Sequence, residues 1–209
     1  MIRDRNIDPL GISSTKLRAE QQYIIMKPDV AVDSIVASAT LTTTGIASCT
    51  IAREIPDYPR NLFYTTADGA STTLECTFTT VGTDVNDEVV TETTTVDYSV
   101  APAVAGTQIF KTVTSIAVSD VVNGAASGDS ISVGVSIVAD VASFGLPCEI
   151  SAVTDVKNVN WIDSGATKTQ NIDATSVVIA RNCFRPEQTV AAADDYIITY
   201  KSSTEDINS

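Results

Sequence analysis

The chain contains no histidine, so no Ser-His-Asp or Cys-His arrangement can form, since both need an imidazole as base. Cys49, Cys76, Cys148 and Cys183 are its four cysteines, and no two form a Cys-x-x-Cys pair. A zinc site would have to gather all four thiolates from distant segments, so buried free thiols are expected instead. Cys76 lies within an alternating apolar pattern, the setting of an inert core thiol rather than an activated nucleophile. Asp87-Glu88 and Asp194-Asp195 are adjacent carboxylates, and neighbours along a strand diverge to opposite faces. Glycosidase chemistry needs two acids converging across a cleft, so solvated turn residues are the better reading. Asp84-Val85-Asn86-Asp87-Glu88 resembles the opening of a calcium loop, but its sixth position is Val89 rather than Gly and its twelfth is Thr95 rather than Glu. No Gly-x-Gly-x-x-Gly or Walker pattern follows a strand signal. The aromatic residues, among them Tyr58, Tyr64, Phe110, Trp161 and Tyr196, are scattered, which suits core packing better than a stacking platform. Neither a cofactor, a metal nor an enzymatic activity is expected.

The elements that position these residues read almost entirely as strands. Residues 23–26 are a short apolar run ended by Pro28, although 15–25 could carry a turn or two of helix. Residues 30–41 and 47–53 flank Thr42-Thr43-Thr44-Gly45, which fits strand, turn, strand. Residues 62–66 and 72–81 flank Asp68-Gly69 and read as a hairpin, because Asp-Gly supplies the positive φ of a tight turn. In the second of these, Leu74, Cys76 and Phe78 alternate with Thr73, Glu75, Thr77 and Thr79, giving one apolar and one wet face. A polar turn at 82–87 leads into a strand at 88–96. Residues 107–118 and 130–138 are longer strands, the latter with Ile131, Val133, Val135 and Ile137 on one side. Shorter strands are expected at 148–153, 159–163, 176–183 and 196–201, with a brief turn at 191–195. Many short strands with frequent turn signals imply an all-β fold, an antiparallel sandwich or a jelly-roll-like barrel.

Composition supports this. Apolar residues make up 44% of the 209-residue chain and charged ones 19%, a folded rather than disordered balance. Thr, Val and Ile are abundant, and their β-branched side chains pack well on a pleated surface. The net charge of −13 opposes binding to nucleic acid or anionic lipid. No run approaches a membrane span, and the first residues lack the apolar core of a secretion signal, so synthesis in a reducing cytosol is expected. Residues 1–20 differ from the rest: Arg3, Arg5, Lys16 and Arg18 concentrate base there, and Pro9-Leu10-Gly11 interrupts any regular element. Two readings stand, a loosely ordered terminus and an extended arm that reaches onto an acidic neighbour. The organisation expected is therefore an arm over 1–20 and a single β domain over 21–209.

Several short motifs occur in a familiar order. Pro59-Arg60-Asn61-Leu62 opens a strand, Gly82-Thr83-Asp84 begins a turn, and Glu92-Thr93-Thr94 follows. Gly106-Thr107 precedes Phe110-Lys111-Thr112-Val113-Thr114-Ser115-Ile116. Then come Ile131-Ser132-Val133-Gly134, Gly145-Leu146-Pro147 and a closing run from Tyr196 to Lys201. This order resembles a family of small tailed-bacteriophage structural proteins, many of them head decoration or cement proteins, over about residues 59–201. Asn86-Asp87 stands where the family's turn commonly has Gly, and Cys148 follows Gly-Leu-Pro in place of a more usual apolar or basic residue. The resemblance implies a virion protein with no active site, bound as a homotrimer to the major capsid protein on the head's outer surface. Arg3, Arg5, Lys16 and Arg18 are the candidate capsid contacts. Other readings stay open: a tail-tube, baseplate or fibre-base subunit, or a carbohydrate-binding or adhesion module using Trp161 or Tyr64.

Overall fold

The computed structural model describes residues 22–26, 35–52, 58–67, 69, 73–122, 128–139, 141–146, 150–163, 165–191 and 194–200. The fold is all-β. Its first half contains β1 (Gln22–Met26), β2 (Val36–Thr40), β3 (Leu62–Ala67), β4 (Glu75–Thr83), β5 (Val89–Asp97), β6 (Ala103–Ala105) and β7 (Thr112–Val122). The second half contains β8 (Ser130–Val135), β9 (Phe144–Gly145), β10 (Val156–Asp163), β11 (Ala166–Thr169), β12 (Val177–Val178), β13 (Cys183–Phe184) and β14 (Asp195–Tyr200). Every strand pairing is antiparallel.

Two sheets, β2-β8-β3-β6 and β5-β4-β7, face each other over one core cluster that includes Leu62, Tyr64, Cys76, Phe78, Ile116 and Val133. Tyr64 and Phe78 meet across it with ring centroids 5.0 Å apart. The other two sheets, β1-β14-β10-β11 and β12-β13-β9, enclose a second cluster built on Phe144, Val159, Phe184, Tyr196 and Ile198. The chain passes between the clusters just after β8: Val133 packs in the first and Ile137 against the second. The alternation that forms the strands is plain in β4, where Cys76, Phe78 and Thr80 are buried and Thr77, Thr79 and Val81 are half-buried.

The expected hairpin across Asp68-Gly69 does not form. β3 pairs with β6 and β8, whereas β4 pairs with β5 and β7. The two strands are opposed across the core instead of side by side, because each presents an apolar row (Leu62 and Tyr64; Cys76 and Phe78) that needs a facing layer. Gly69 donates its N–H to the Asp129 carboxylate at 2.9 Å, which ties the crossing connection to the residue before β8. The adjacent hairpin is β4–β5. There Asp84 accepts the Asn86 and Glu88 N–H groups, and Asp87 takes a left-handed φ of 65°.

Other expectations shift. The Thr42–Gly45 turn forms, with Gly45 at φ +80°, but 46–52 is not a ladder strand; it touches β7 through an Ile46–Val118 bridge and a bond from Cys49 N–H to the Ile116 carbonyl. The strand expected from 107 begins at Thr112, because Thr107 and Gln108 spend their N–H groups on a side chain. Residues 22–25 belong to β1 rather than to a helical turn; Val153–Asp155 is a single 3-10 turn that starts at the end of the stretch expected as a strand over 148–153, and Ile179–Arg181 is another within the strand expected over 176–183. β6, β9 and β11 are additional short strands.

Gly82 lies at the irregularity where β4 meets β7, and a Cβ there would fall 2.0 Å from the Thr112 carbonyl oxygen. Gly82→Ala is expected to destabilise by about 2–4 kcal/mol, since only backbone movement relieves that overlap. Urea unfolding checks it, and an unchanged midpoint rules out the close approach.

Candidate functional site

The motifs that are far apart in sequence converge at one joint between the two clusters. Arg60 exchanges backbone hydrogen bonds with Phe110, and Gly145 N–H donates to the Pro59 carbonyl. The Arg60 side chain is fully buried; one guanidinium N–H donates to the Ser136 carbonyl at 2.7 Å, and the group lies 4.6 Å from the centre of the Phe144 ring. Asn61 is equally committed: its side-chain N–H groups donate to the Gly106 and Val141 carbonyls, and its side-chain oxygen accepts Ser143 N–H. A Cβ on Gly145 would come within 2.7–2.8 Å of Val85, Ile109 and Pro59, so three segments press on this one glycine.

Beside the joint, the buried Glu92 carboxylate accepts Thr107 N–H at 2.5 Å, Gln108 N–H at 3.0 Å and the Tyr64 hydroxyl at 3.2 Å. Burial and the Glu92 charge both push the Tyr64 hydroxyl pKa up, so it stays a neutral donor. These are architectural contacts: they cap a turn and bind layers together through a carboxylate that is itself buried.

The outer face of the β5-β4-β7 sheet is different in kind. Thr77, Thr95 and Ser119 form one cross-strand row, and Thr79, Thr93 and Ala117 the next. Val81, Thr91 and Ser115 make the third, and Thr83, Val89 and Thr112 the fourth. Hydroxyls pair within the face, Thr77 with Thr95 at 3.2 Å and Thr83 with Thr112 at 2.7 Å. Val89 is 78% exposed. No charged side chain stands in these rows; charge borders them, with Glu75, Asp97 and the Asp120 carboxylate that accepts the Ser119 hydroxyl at one end and the exposed Lys111–Asp87 pair at the other.

The residues considered for chemistry fall elsewhere. Arg3, Arg5, Lys16, Arg18 and Cys148 lie outside the described residues. Cys49, Cys76 and Cys183 are free and buried. Desolvation, reinforced by Glu75, pushes the Cys76 thiol up to about 12, and burial also raises Cys49 and Cys183. At pH 8 these thiols are therefore expected to resist iodoacetamide until the protein is denatured, as peptide mass mapping would record; native labelling at Cys76 contradicts its burial. Asp194 is buried and accepts Ala191 N–H, while Asp195 starts β14 half-buried, so the pair does not converge. Asp84 spends its carboxylate on the turn's own N–H groups. Among the described residues no group of three or more Cys, Asp or Glu could hold a metal. Tyr64 is fully buried in the first cluster and Trp161 packs against the second, so they make no shared sugar platform.

Two surface depressions lie among the described residues. A groove of about 440 Å3 runs beside the sheet-edge strand β2, lined by uncharged residues such as Val36, Ala39, Ile46 and Cys49. A smaller cleft of about 180 Å3 lies between the β4–β5 turn and the Ile179–Arg181 turn, with Asp84, Asn86, Gln108 and Arg181 on its walls. Among the described residues no helix is long and apolar enough to cross a membrane, which says nothing of strand-built spans. Comparison of the chain with protein-family models, with curated proteins and with solved structures finds no match.

Proposed function

We propose that this protein is a structural subunit of a tailed-phage particle, a decoration or cement protein seated on the outer surface of the head. One observation carries the reading. The short motifs on which the resemblance to that family rests, Pro59-Arg60-Asn61-Leu62, Gly82, Gly106-Thr107, Phe110 and Gly145, meet in or beside a single joint. Each motif alone is weak, but in this chain their residues act on one another in space as one unit. In this role the subunit contributes burial and hydrogen bonding between copies of the major capsid protein, as a homotrimer about local three-fold axes. The acidic remainder faces solvent and opposes binding to nucleic acid.

Mixing the purified protein with undecorated heads is expected to give saturable, stoichiometric binding, visible as surface knobs in cryo-EM. Label confined to tails, or rings and stacked tubes, would instead assign it to a tail component. The segment carrying Arg3, Arg5, Lys16 and Arg18 is a second contact in this reading. Deleting residues 1–20 is expected to leave the melting transition in place while weakening head attachment by about tenfold or more. A truncated chain that does not fold would place the segment in the core.

A further inference from the structure

At the joint, Asn61 and Glu92 spend their polar atoms inside the fold. The cleft between the β4–β5 turn and the Ile179–Arg181 turn is built differently: its walls are fixed, and polar groups on them are left over. Asp84 Oδ1 accepts the Asn86 and Glu88 N–H groups, and the Glu92 carboxylate accepts Gln108 N–H. On the other wall, Asn182 donates its backbone N–H to the Ile179 carbonyl, while its side chain accepts Ile150 N–H and donates to the Leu146 carbonyl. The Arg181 guanidinium, Asp84 Oδ2 and the side-chain amides of Asn86 and Gln108 have no bond among the described residues. Bases are the scarce charge in this chain, 13 Lys and Arg against 26 Asp and Glu, yet Arg181 pairs with no acid. Asp84 and Arg181 share a space of only about 180 Å3 without forming an ion pair.

We propose that this cleft binds a small aliphatic α-amino acid. The two formal charges on its walls cancel, so a ligand of either net sign gains at one wall and loses at the other, whereas a zwitterion gains at both. Arg181 offers the planar fork that takes a carboxylate, and Asp84 Oδ2 is an acceptor for an ammonium. The Asn86 and Gln108 amides supply both donors and acceptors beside them. Asp87, the next acid along the turn, is held by Lys111 and does not compete. Val90, Ile109 and the exposed Ile179 give the apolar surface for a branched side chain. Size narrows the class further. A volume of about 180 Å3 holds on the order of six waters, and lies below the roughly 300–1,000 Å3 of drug-sized sites. It suits one amino acid and is too small for a peptide. Because both turns are already held by their own bonds, little ordering opposes binding. This site is independent of where the subunit sits in a particle.

Calorimetric titration and amide NMR shift mapping of the full chain with L-leucine test this. Leucine is expected to bind with a Kd of about 1 mM or tighter, with shifts concentrated at residues 84–90, 108–109 and 179–182. Isocaproate, which keeps the carboxylate alone, and isoamylamine, which keeps the ammonium alone, are each expected to bind about tenfold or more weakly than leucine. Arg181→Gln and Asp84→Asn are each expected to weaken leucine by about tenfold or more with an unchanged melting transition, since Asn at position 84 keeps the oxygen that holds the turn. Isocaproate that binds as tightly as leucine reduces the site to a lone arginine and overturns the zwitterion. Shifts with glucose but not with leucine replace the ligand class by a neutral polyol and overturn the proposal. Leucine binding that both variants retain, or no shift at these residues with leucine, overturns the site.

Discussion

Arg60→Ala is expected to lower the unfolding free energy by about 3–5 kcal/mol, against the roughly 5–15 kcal/mol that holds a domain folded. Arg60 is fully buried, and its guanidinium donates to the Ser136 carbonyl while lying over Phe144. Truncation opens a cavity, leaves that carbonyl without this donor and removes the contact with the second cluster's Phe144. Arg60→Lys keeps the charge but not the planar fork, and is expected to recover only part of the loss. The backbone of residue 60 bridges Phe110 on one side and Phe144 on the other, so the two clusters share this position. Loss of cooperativity should therefore accompany loss of stability. The only tryptophan, Trp161, packs against the second cluster, so its fluorescence reports that half. In Arg60→Ala its urea transition is expected to separate from the far-UV signal of the whole chain, whereas in wild type the two coincide. Coincident transitions and a loss below about 1 kcal/mol would mean that the joint is held by backbone alone.

The strands were legible in the sequence because period-two alternation is a local signal, and in β4 and β5 the residues at alternate positions are the buried ones. Partner choice was not. Leu62-x-Tyr64 and Cys76-x-Phe78 announce which face is apolar, but an apolar row says equally that a strand has a neighbour beside it or a layer opposite. The Asp68-Gly69 turn signal favoured the neighbour, and the structure has the layer. The joint was half legible: Pro59-Arg60-Asn61-Leu62 stood out as a motif, yet an arginine between a proline and an asparagine reads as a solvated strand end. Its burial comes from residues such as Ser136 and Phe144, more than seventy positions away. Glu92 did leave a trace. It shares the inward parity of Thr94 and Val96 in β5, and a carboxylate on the core side of a strand requires donors. Those donors are backbone N–H groups of Thr107 and Gln108, which no side-chain pattern reveals. The uncharged face was visible as alternating threonines along single strands; only the register of three strands turns them into rows.

Glu92→Ala is the second large effect, expected at about 3–5 kcal/mol and paired with a smaller loss for Glu92→Gln. The carboxylate oxygen Oε1 accepts Thr107 N–H, Gln108 N–H and the Thr107 hydroxyl, and Oε2 accepts the Tyr64 hydroxyl. Hydrogen bonds to a charged acceptor contribute about 1.5–3 kcal/mol each, and alanine leaves several donors without it at once. Glutamine retains an oxygen for the two N–H groups and turns an amide toward Tyr64, whose hydroxyl also pairs with Thr80 at 2.9 Å. The geometry makes a sharper prediction through Gly106. A Cβ on that residue would sit 2.3 Å from Glu92 Oε2, so in wild type Gly106→Ala drives against a carboxylate fixed by its own bonds. With Glu92 already truncated, the same methyl enters vacated space. The two substitutions are therefore expected to be non-additive, the double variant being more stable than the sum of single losses predicts by about 1 kcal/mol or more. Simple additivity in a urea-unfolding cycle would mean that Glu92 moves freely, and that the turn at 106–108 is held without it.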